Sequence, residues 1–99
     1  DSDYDYIVRL TEATRNHHMI QLGISPRGAL ALCRVAKARA FVNKRDFVPP
    51  EDVKASAGDV FAHRLILSAK ARLNEYSAQM LVDEILASTK MPALTEKNL

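Results

Sequence analysis

The sequence is poor in the residues that build several common kinds of functional site. Of its 99 residues, one is cysteine and three are glycine. A single cysteine excludes an intramolecular disulfide and a multi-cysteine zinc site. The glycines form no phosphate loop of the type G-x-x-x-x-G-K-[ST], and neither H-E-x-x-H nor G-x-S-x-G occurs. The chain therefore carries no recognisable catalytic set of its own.

No charge of one sign dominates the chain, and no apolar run approaches the ~20 residues needed to span a bilayer. Fourteen lysines and arginines against twelve aspartates and glutamates leave a net charge of +2, less than DNA-binding modules usually concentrate. The single cysteine fits a reducing compartment, so we expect a cytoplasmic protein. Because long apolar runs are absent and the net charge is small, we expect no membrane span and no nucleic acid as a partner. Because the sequence starts at Asp1 instead of methionine, we expect a segment of a longer protein.

Helical periodicity is what the sequence has in abundance. Hydrophobic residues make up 47% of the chain, and in four segments they recur at steps of three and four residues, as in a half-buried helix. The pattern predicts a mainly α fold, a small bundle of four to five helices, with one domain over residues 1–90 and a loose tail at 91–99. The four segments are residues 4–16, 26–42, 50–62 and 77–87.

The joints between the helices allow a short two-stranded β-ribbon. Phe47 and Val48 are expected to be extended, because two prolines follow them. Residues 65–67 either pair with this piece or continue a helix, and periodicity alone does not decide; we favour the ribbon. Gly58 is expected to interrupt or end the third helix, and residues 70–75 are expected to form a polar connection.

The second predicted helix is apolar around nearly its whole circumference. A helix of this kind is typical of a central position with neighbours on several sides. Cys33 lies inside it and is expected to be a small buried hydrophobe. The adjacent residues His17 and His18 point roughly 100° apart on a helix and cannot chelate one metal from one face, and His63 stands alone, so we expect no metal site.

One helix start has the features of an anion site. Gly23 allows a tight turn, Ser25 can cap the helix, and Pro26 takes the first helical position. Unpaired N–H groups and the positive end of the helix dipole gather there. Arg27 adds a planar fork of donors that can bind phosphate oxygens with two bonds, although it could also extend into solvent. A guanidinium beside a helix N-terminus is disfavoured unless an anion offsets it.

The same stretch resembles the sensor-2 segment in the C-terminal lid of MoxR-family AAA+ ATPases, usually written G-A-S-P-R-[AG]. Here it reads G-I-S-P-R-G, so Ile24 replaces the usual alanine. Lys44 replaces the usual glycine of the joint before the third helix. The resemblance covers roughly residues 4–87. Three further segments agree with the family in order and spacing: residues 6–15, 36–53 and 60–67.

The resemblance implies a lid that closes over ATP and Mg²⁺ held mainly by a preceding core domain. Arg27 would be the catalytic sensor-2 arginine at the γ-phosphate, and Ser25 and Pro26 would lie at the same nucleotide. Arg34, two helical turns further on, would either line this interface or point into solvent. The parent protein would be an ATP hydrolase, whereas this chain lacks the Walker A and Walker B motifs and should be inactive alone.

The resemblance also implies partners. Family members assemble into rings, typically hexamers, and are thought to act as chaperones, often with von Willebrand factor A-type proteins. Two other functions compete with this interpretation: a helical nucleic-acid-binding module and a protein–protein adaptor. The second helix is too apolar for a DNA groove and its polar arc lacks the asparagine or glutamine that would read bases, which argues against the nucleic-acid alternative.

Overall fold

The computed structural model describes residues 2–92, with side chains described from residue 4 onward. Within this range the chain forms five helices and a two-stranded antiparallel sheet, which confirms the predicted mainly α bundle with one ribbon. Residues 93–99 of the expected tail lie outside the described part, and Met91 packs half-buried against the core. The elements are α1 (Ser2–Arg15), β1 (Ile20–Leu22), α2 (Pro26–Val42), α3 (Pro50–Ala62), β2 (Ile66–Leu67), α4 (Ala69–Leu73) and α5 (Ala78–Ser88).

Serine caps and prolines set where four of the helices begin. The Ser25 hydroxyl accepts a hydrogen bond from the Gly28 N–H at 3.2 Å, and Ser68 and Ser77 cap α4 and α5 in the same way. Proline occupies the first position of both α2 and α3, where its missing N–H costs nothing. The bounds of α2 agree with the prediction.

The core lies where α1, α2, α3 and α5 meet, with α2 packed mainly on α3 and α3 on α5. The apolar stripe predicted for α1 is confirmed, because Tyr6 and Leu10 are fully buried in this core. No helix within residues 2–92 is both long and apolar enough to cross a membrane. The largest fully buried side chains are Tyr6, Phe61, Leu10, Ile24, Leu32, Leu81, Val53 and Val82.

The ribbon exists, but its predicted partner strand was wrong. β2 pairs with β1, with Ile20 opposite Leu67 and Leu22 opposite Ile66, and not with Phe47 and Val48. Burial of Ile20 in the core fixes β1 next to β2, whereas residues 47–48 lead directly through the prolines into α3. A hydrogen bond of 2.9 Å from the Ser68 N–H to the Met19 carbonyl extends the pairing.

Two local predictions about helices were also wrong. Gly58 does not interrupt α3, which runs continuously to Ala62. A Cβ at Gly58 would lie 3.2 Å from the side-chain nitrogen of Gln79, a residue of α5, so the Gln79 amide packs over this glycine. Most of the expected polar connection at residues 70–75 forms α4, whose start is capped by Ser68.

An ion pair fixes the joint between α2 and α3. Asp52 is buried and accepts hydrogen bonds from Nε and Nη2 of the Arg45 guanidinium, and the Arg39 Nε lies 3.4 Å from its carboxylate. Hydrogen bonding to Asp52 raises the pKa of Arg45 further above its usual value. Lys44, in the same joint, has φ 61° and lets the Arg45 N–H reach the Ala40 carbonyl at 2.9 Å.

The prediction that α2 is enclosed on several sides was wrong. Its buried residues form one stripe of Gly28, Leu32, Ala36 and Ala40. On the remaining circumference, apolar side chains are exposed: Leu30 at 49%, Val35 at 41%, Phe41 at 81% and Val42 at 75%. The apolar pattern shows which side chains of α2 favour burial. It does not show whether a neighbour covers them, and the elements within residues 2–92 cover only one face of α2.

Candidate functional site

A cleft of about 480 Å³ opens at the N-terminus of α2. Its walls are β1, the joint that follows β1, the first turn of α2, the end of α1 and the segment between α3 and β2. The side chains that bear on its chemistry are Ser25, Pro26, Arg27, Arg15 and Arg64.

Buried contacts hold the joint that positions the start of α2. The Ile24 N–H donates to the Thr14 hydroxyl at 3.0 Å, and that hydroxyl donates to the Thr11 carbonyl. Ile24 itself is 1% exposed. A Cβ at Gly23 would lie 2.8 Å from the Arg15 backbone, so only glycine lets the joint pass the end of α1 this closely. The chain therefore enters α2 from a point anchored to α1.

The start of α2 presents donors to the cleft. Ser25 takes the Gly28 N–H and its backbone carbonyl takes the Ala29 N–H, while Pro26 has no N–H to offer. The Arg27 N–H has no hydrogen-bond partner among the described residues. The exposed guanidinium of the same residue lies beside it, so Arg27 offers both backbone and side-chain donors.

The cleft is positively charged. Arg15, Arg27 and Arg64 line it, none of the described residues that line it is acidic, and the first turn of α2 contains no acidic residue. In the part of the chain that the structure describes, no carboxylate lies within 4 Å of any of these three guanidinium groups. Together with the helix dipole, they favour an anion at this position. Phosphate fits the donor set best, because arginine binds it with paired hydrogen bonds.

A family model described as AAA lid domain matches residues 12–85. The chain belongs to the AAA lid domain family. This lid domain is 33% identical to Chaperone MoxR1 of Mycobacterium tuberculosis over 97 residues, covering 89% of the chain and 26% of that relative. It is 35% identical to Protein MoxR of Paracoccus denitrificans over 102 residues, covering 89% of the chain and 30% of that relative. The resemblance to MoxR-family lids is confirmed.

A solved structure agrees. The lid domain superposes on a crystal structure of a protein assigned as an ATPase from Cytophaga hutchinsonii, with a TM-score of 0.86 and 36% identity, over 94% of this chain and 31% of that one. It is also 39% identical to the uncharacterised protein YeaC of Bacillus subtilis over 92 residues, covering 93% of the chain and 29% of that relative. The lid domain thus spans less than a third of the length of these relatives.

The lid domain brings three of the four predicted site residues together. Ser25, Pro26 and Arg27 share the cleft. Arg34 is exposed on α2 and does not line it, so its assignment to the nucleotide stays a prediction. Arg64 also lines the cleft, although the sequence placed it only within residues 60–67, a segment that resembles the family. The signal that could have found it is its place two residues before β2, which is informative only once β2 is paired with β1.

A second depression borders the cleft. This apolar groove, between α1 and α2, has a volume of about 250 Å³ and shares Arg15 and Pro26 with the cleft. Ile7, Leu30 and Cys33 are among its lining side chains. Cys33 is partly exposed, not buried as predicted. The lid domain therefore presents a cationic cleft continuous with an apolar surface.

The histidines form a structural contact. The His17 Nδ1 accepts the Met19 N–H at 3.1 Å, which leaves Nε2 to donate to Glu84 at 3.0 Å and ties the end of α1 to α5. The His18 ring stacks on His17 with centroids 5.1 Å apart. Within residues 2–92, no group of three or more histidine, cysteine or acidic side chains is placed to hold a metal ion.

Proposed function

We propose that this lid domain closes over ATP held by a core domain of the same protein, and that Arg27 contacts the γ-phosphate as the sensor-2 arginine. The position of Arg27 carries the proposal. It stands at the open N-terminus of α2, in a cleft that the described residues line with two further arginines and with no carboxylate. The family membership supports it, since the relatives include MoxR proteins several times longer than this chain.

The donors of the cleft fit phosphate but do not fit Mg²⁺. Guanidinium groups, a free backbone N–H and the Ser25 hydroxyl all bind anionic oxygen. Mg²⁺ requires oxygen ligands, usually carboxylates, and within residues 4–92 no acidic side chain lines the cleft. The Mg²⁺ that accompanies ATP would therefore be held by the core domain, where it would neutralise phosphate charge.

Arg27 would act in two ways. It places positive charge against the terminal phosphate and offsets charge that develops during hydrolysis. It also ties the lid to the nucleotide, because Arg27 follows a joint that is anchored to α1 through Ile24 and Thr14. When this contact is lost, the lid is free to rotate as a rigid body against the core domain. Hydrolysis would thereby be converted into motion.

The uncovered apolar surfaces support docking to other parts of an ATPase. The groove between α1 and α2 and the exposed face of α2 present apolar side chains to solvent, including Leu30 and Phe41. Exposed apolar patches of this kind mark interaction sites. We propose the preceding core domain and neighbouring subunits of a ring, a hexamer, as the occupants.

The biological setting is proposed from the relatives. One of them carries the printed name Chaperone MoxR1, and we propose a similar chaperone-like, ATP-driven activity in the cytoplasm. A von Willebrand factor A-type partner is proposed on the sequence resemblance alone.

The test is Arg27→Ala in the full-length protein. Loss of one charged phosphate contact should lower ATP turnover by a factor on the order of 10 to 1000, without changing the circular dichroism spectrum. Lys54→Ala is the matched control, because Lys54 is an exposed cation on α3 outside the cleft. If turnover in the Arg27 variant equals that of the control, Arg27 is not the sensor-2 residue.

A further inference from the structure

We infer that Arg64 is a second phosphate-binding residue of the same cleft and that Gly28 positions it. The inference rests on the proposed function and deepens it. On this view two elements of the lid, the start of α2 and the segment between α3 and β2, contact the phosphates of one nucleotide.

The first observation is the close approach of Arg64 to the start of α2. A Cβ at Gly28 would lie 3.2 Å from the Arg64 Cδ and 3.6 Å from its Nε. The aliphatic stem of Arg64 therefore crosses the helix over Gly28, the residue that follows Arg27. Gly28 is buried although it lies in the first turn of α2, because this stem and Ile24 cover it. The Arg64 stem thus lies against the first turn of α2, and Arg64 lines the same cleft as Arg27.

The second observation is that the backbone of Arg64 is fixed while most of its donors are free. Its N–H donates to the Phe61 carbonyl at 2.9 Å, and two residues later the chain pairs as β2 with β1. The side chain makes one long contact, from Nη1 to the Val60 carbonyl at 3.5 Å. Within the described residues no carboxylate neutralises it. A guanidinium has five N–H donors, so an anion in the cleft can be bound by the remaining ones.

The third observation concerns charge. Arg27 and Arg64 come from different elements and line one cleft, with Arg15 on the side that borders the apolar groove. Without a counter-ion, the positive charges of these arginines repel one another and disfavour the cleft in its anion-free state. A bound anion with several negative charges offsets this repulsion. The arrangement thus favours a polyphosphate over a singly charged anion, and both arginines would bind it.

The experiment compares nucleotide affinity of full-length variants. Arg64→Met keeps an apolar stem over Gly28 and removes the charge, and Arg64→Lys keeps the charge without the planar fork. Titration with a fluorescent ATP analogue should give a Kd on the order of 10-fold weaker for the methionine variant. The lysine variant should recover part of this loss, and Lys54→Gln should leave the affinity unchanged. The effect of Arg64→Met should be smaller for AMP than for ATP.

Gly28→Ala tests the positioning role. Its Cβ would lie 2.8 Å from the Ile24 Cγ2 and 3.2 Å from the Arg64 Cδ, so both side chains have to shift. Nucleotide affinity should fall, and it should fall little further when Arg64→Met is added. Additive losses would contradict the coupling of Gly28 to Arg64. Circular dichroism and thermal unfolding of each variant show whether the lid remains folded.

If Arg64→Met does not fold, the comparison of Arg64→Lys with wild type decides. An unchanged turnover and ATP affinity in a folded lysine variant would exclude a role for the guanidinium fork.

The outcomes separate this inference from the proposed function. Loss of turnover in Arg27→Ala together with wild-type affinity in Arg64→Met overturns the Arg64 assignment alone. Wild-type behaviour of both variants overturns the proposed function and the inference with it. Equal losses for AMP and ATP in Arg64→Met would place Arg64 at another part of the nucleotide and also overturn the inference.

Discussion

Ile24 and Gly28 share one space at the start of α2. The family pattern has alanine at the first of these positions and alanine or glycine at the second, whereas this chain pairs isoleucine with glycine. A Cβ at Gly28 would lie 2.8 Å from the Ile24 Cγ2. The larger side chain at position 24 therefore requires the smallest residue one turn later. Glycine at position 28 thus makes room for the isoleucine that replaces the family's usual alanine at position 24.

Lys44 shows a different way to depart from the pattern. It takes the left-handed conformation, with φ 61°, at the joint where the family usually has glycine. The conformation costs roughly 1–2 kcal/mol for a residue with a Cβ, but the joint is over-determined: the Lys44 N–H reaches the Phe41 carbonyl at 2.9 Å, and Arg45 is held by Asp52. Loss of glycine thus does not remove the turn.

Tyr6 gives a pH-dependent prediction. Its ring is fully buried, its hydroxyl has no hydrogen-bond partner among the described residues, and burial raises its pKa above 10.0. Because the folded state holds this proton more tightly than the unfolded state, stability is retained below pH ~10 and falls as the pH rises through the folded-state pKa. Tyr6→Phe should remove this alkaline loss and, at pH 7, should be neutral or stabilise the fold by about 1 kcal/mol.

Urea unfolding of wild type and Tyr6→Phe at pH 7 and pH 10.5 checks this. The difference in unfolding free energy between the two proteins should widen at the higher pH, in favour of phenylalanine. A variant that is destabilised equally at both pH values would show that the hydroxyl makes a stabilising contact.

At the scale of elements, local sequence signals predict the bounds of α2 but not how many of its faces are covered. Ser25, Pro26 and the apolar run are local signals, and they gave the bounds of the helix. The number of covered faces depends on neighbours that periodicity does not report, so the enclosed position predicted for α2 was wrong. Leu30 and Leu32 lie two residues apart on this helix, the first 49% exposed and the second fully buried.

The same substitution at these two leucines should have opposite consequences. Leu32→Ala should lower the free energy of unfolding by about 2–5 kcal/mol through a core cavity and impair every activity. Leu30→Ala should change it by no more than about 0.5 kcal/mol, yet lower ATP turnover of the full-length protein, since the exposed face is proposed to dock the core domain. Urea unfolding and turnover of both variants measure this. Normal turnover in Leu30→Ala would leave that residue outside the interface.

The short elements were the hardest to predict, for a physical reason. β1 has three residues and β2 has two, so neither contains enough of a period to be recognised. Their pairing is decided by burial of Ile20 and by the hydrogen bond from Ser68 to Met19. α4 is likewise five residues long and depends on its serine cap. Elements of this length are set by tertiary contacts and not by local propensity.

At the scale of the whole molecule, the candidate site divides into a local and a non-local part. Ser25, Pro26 and Arg27 are contiguous, so one motif was sufficient to predict their shared position. Arg64 is 37 residues beyond Arg27 and reaches the cleft only because β2 pairs with β1. With residues 65–67 paired to residues 47–48, as favoured from the sequence, this arginine had no reason to lie near the start of α2. An error in the topology of a two-stranded sheet therefore concealed a candidate site residue.

The incomplete cleft leads to a prediction for the chain by itself. The described residues that line the open cleft offer arginines, one free N–H and a hydroxyl, and none of them is an acidic ligand for Mg²⁺. A few exposed charged contacts do not sustain tight binding against the cost of immobilising a ligand. The 99-residue chain should therefore bind ATP with a Kd of about 1 mM or weaker and show no turnover, by calorimetry and phosphate release. Micromolar binding by this chain would mean that the site is complete without a core domain, and the proposed division of labour between lid and core would then be wrong.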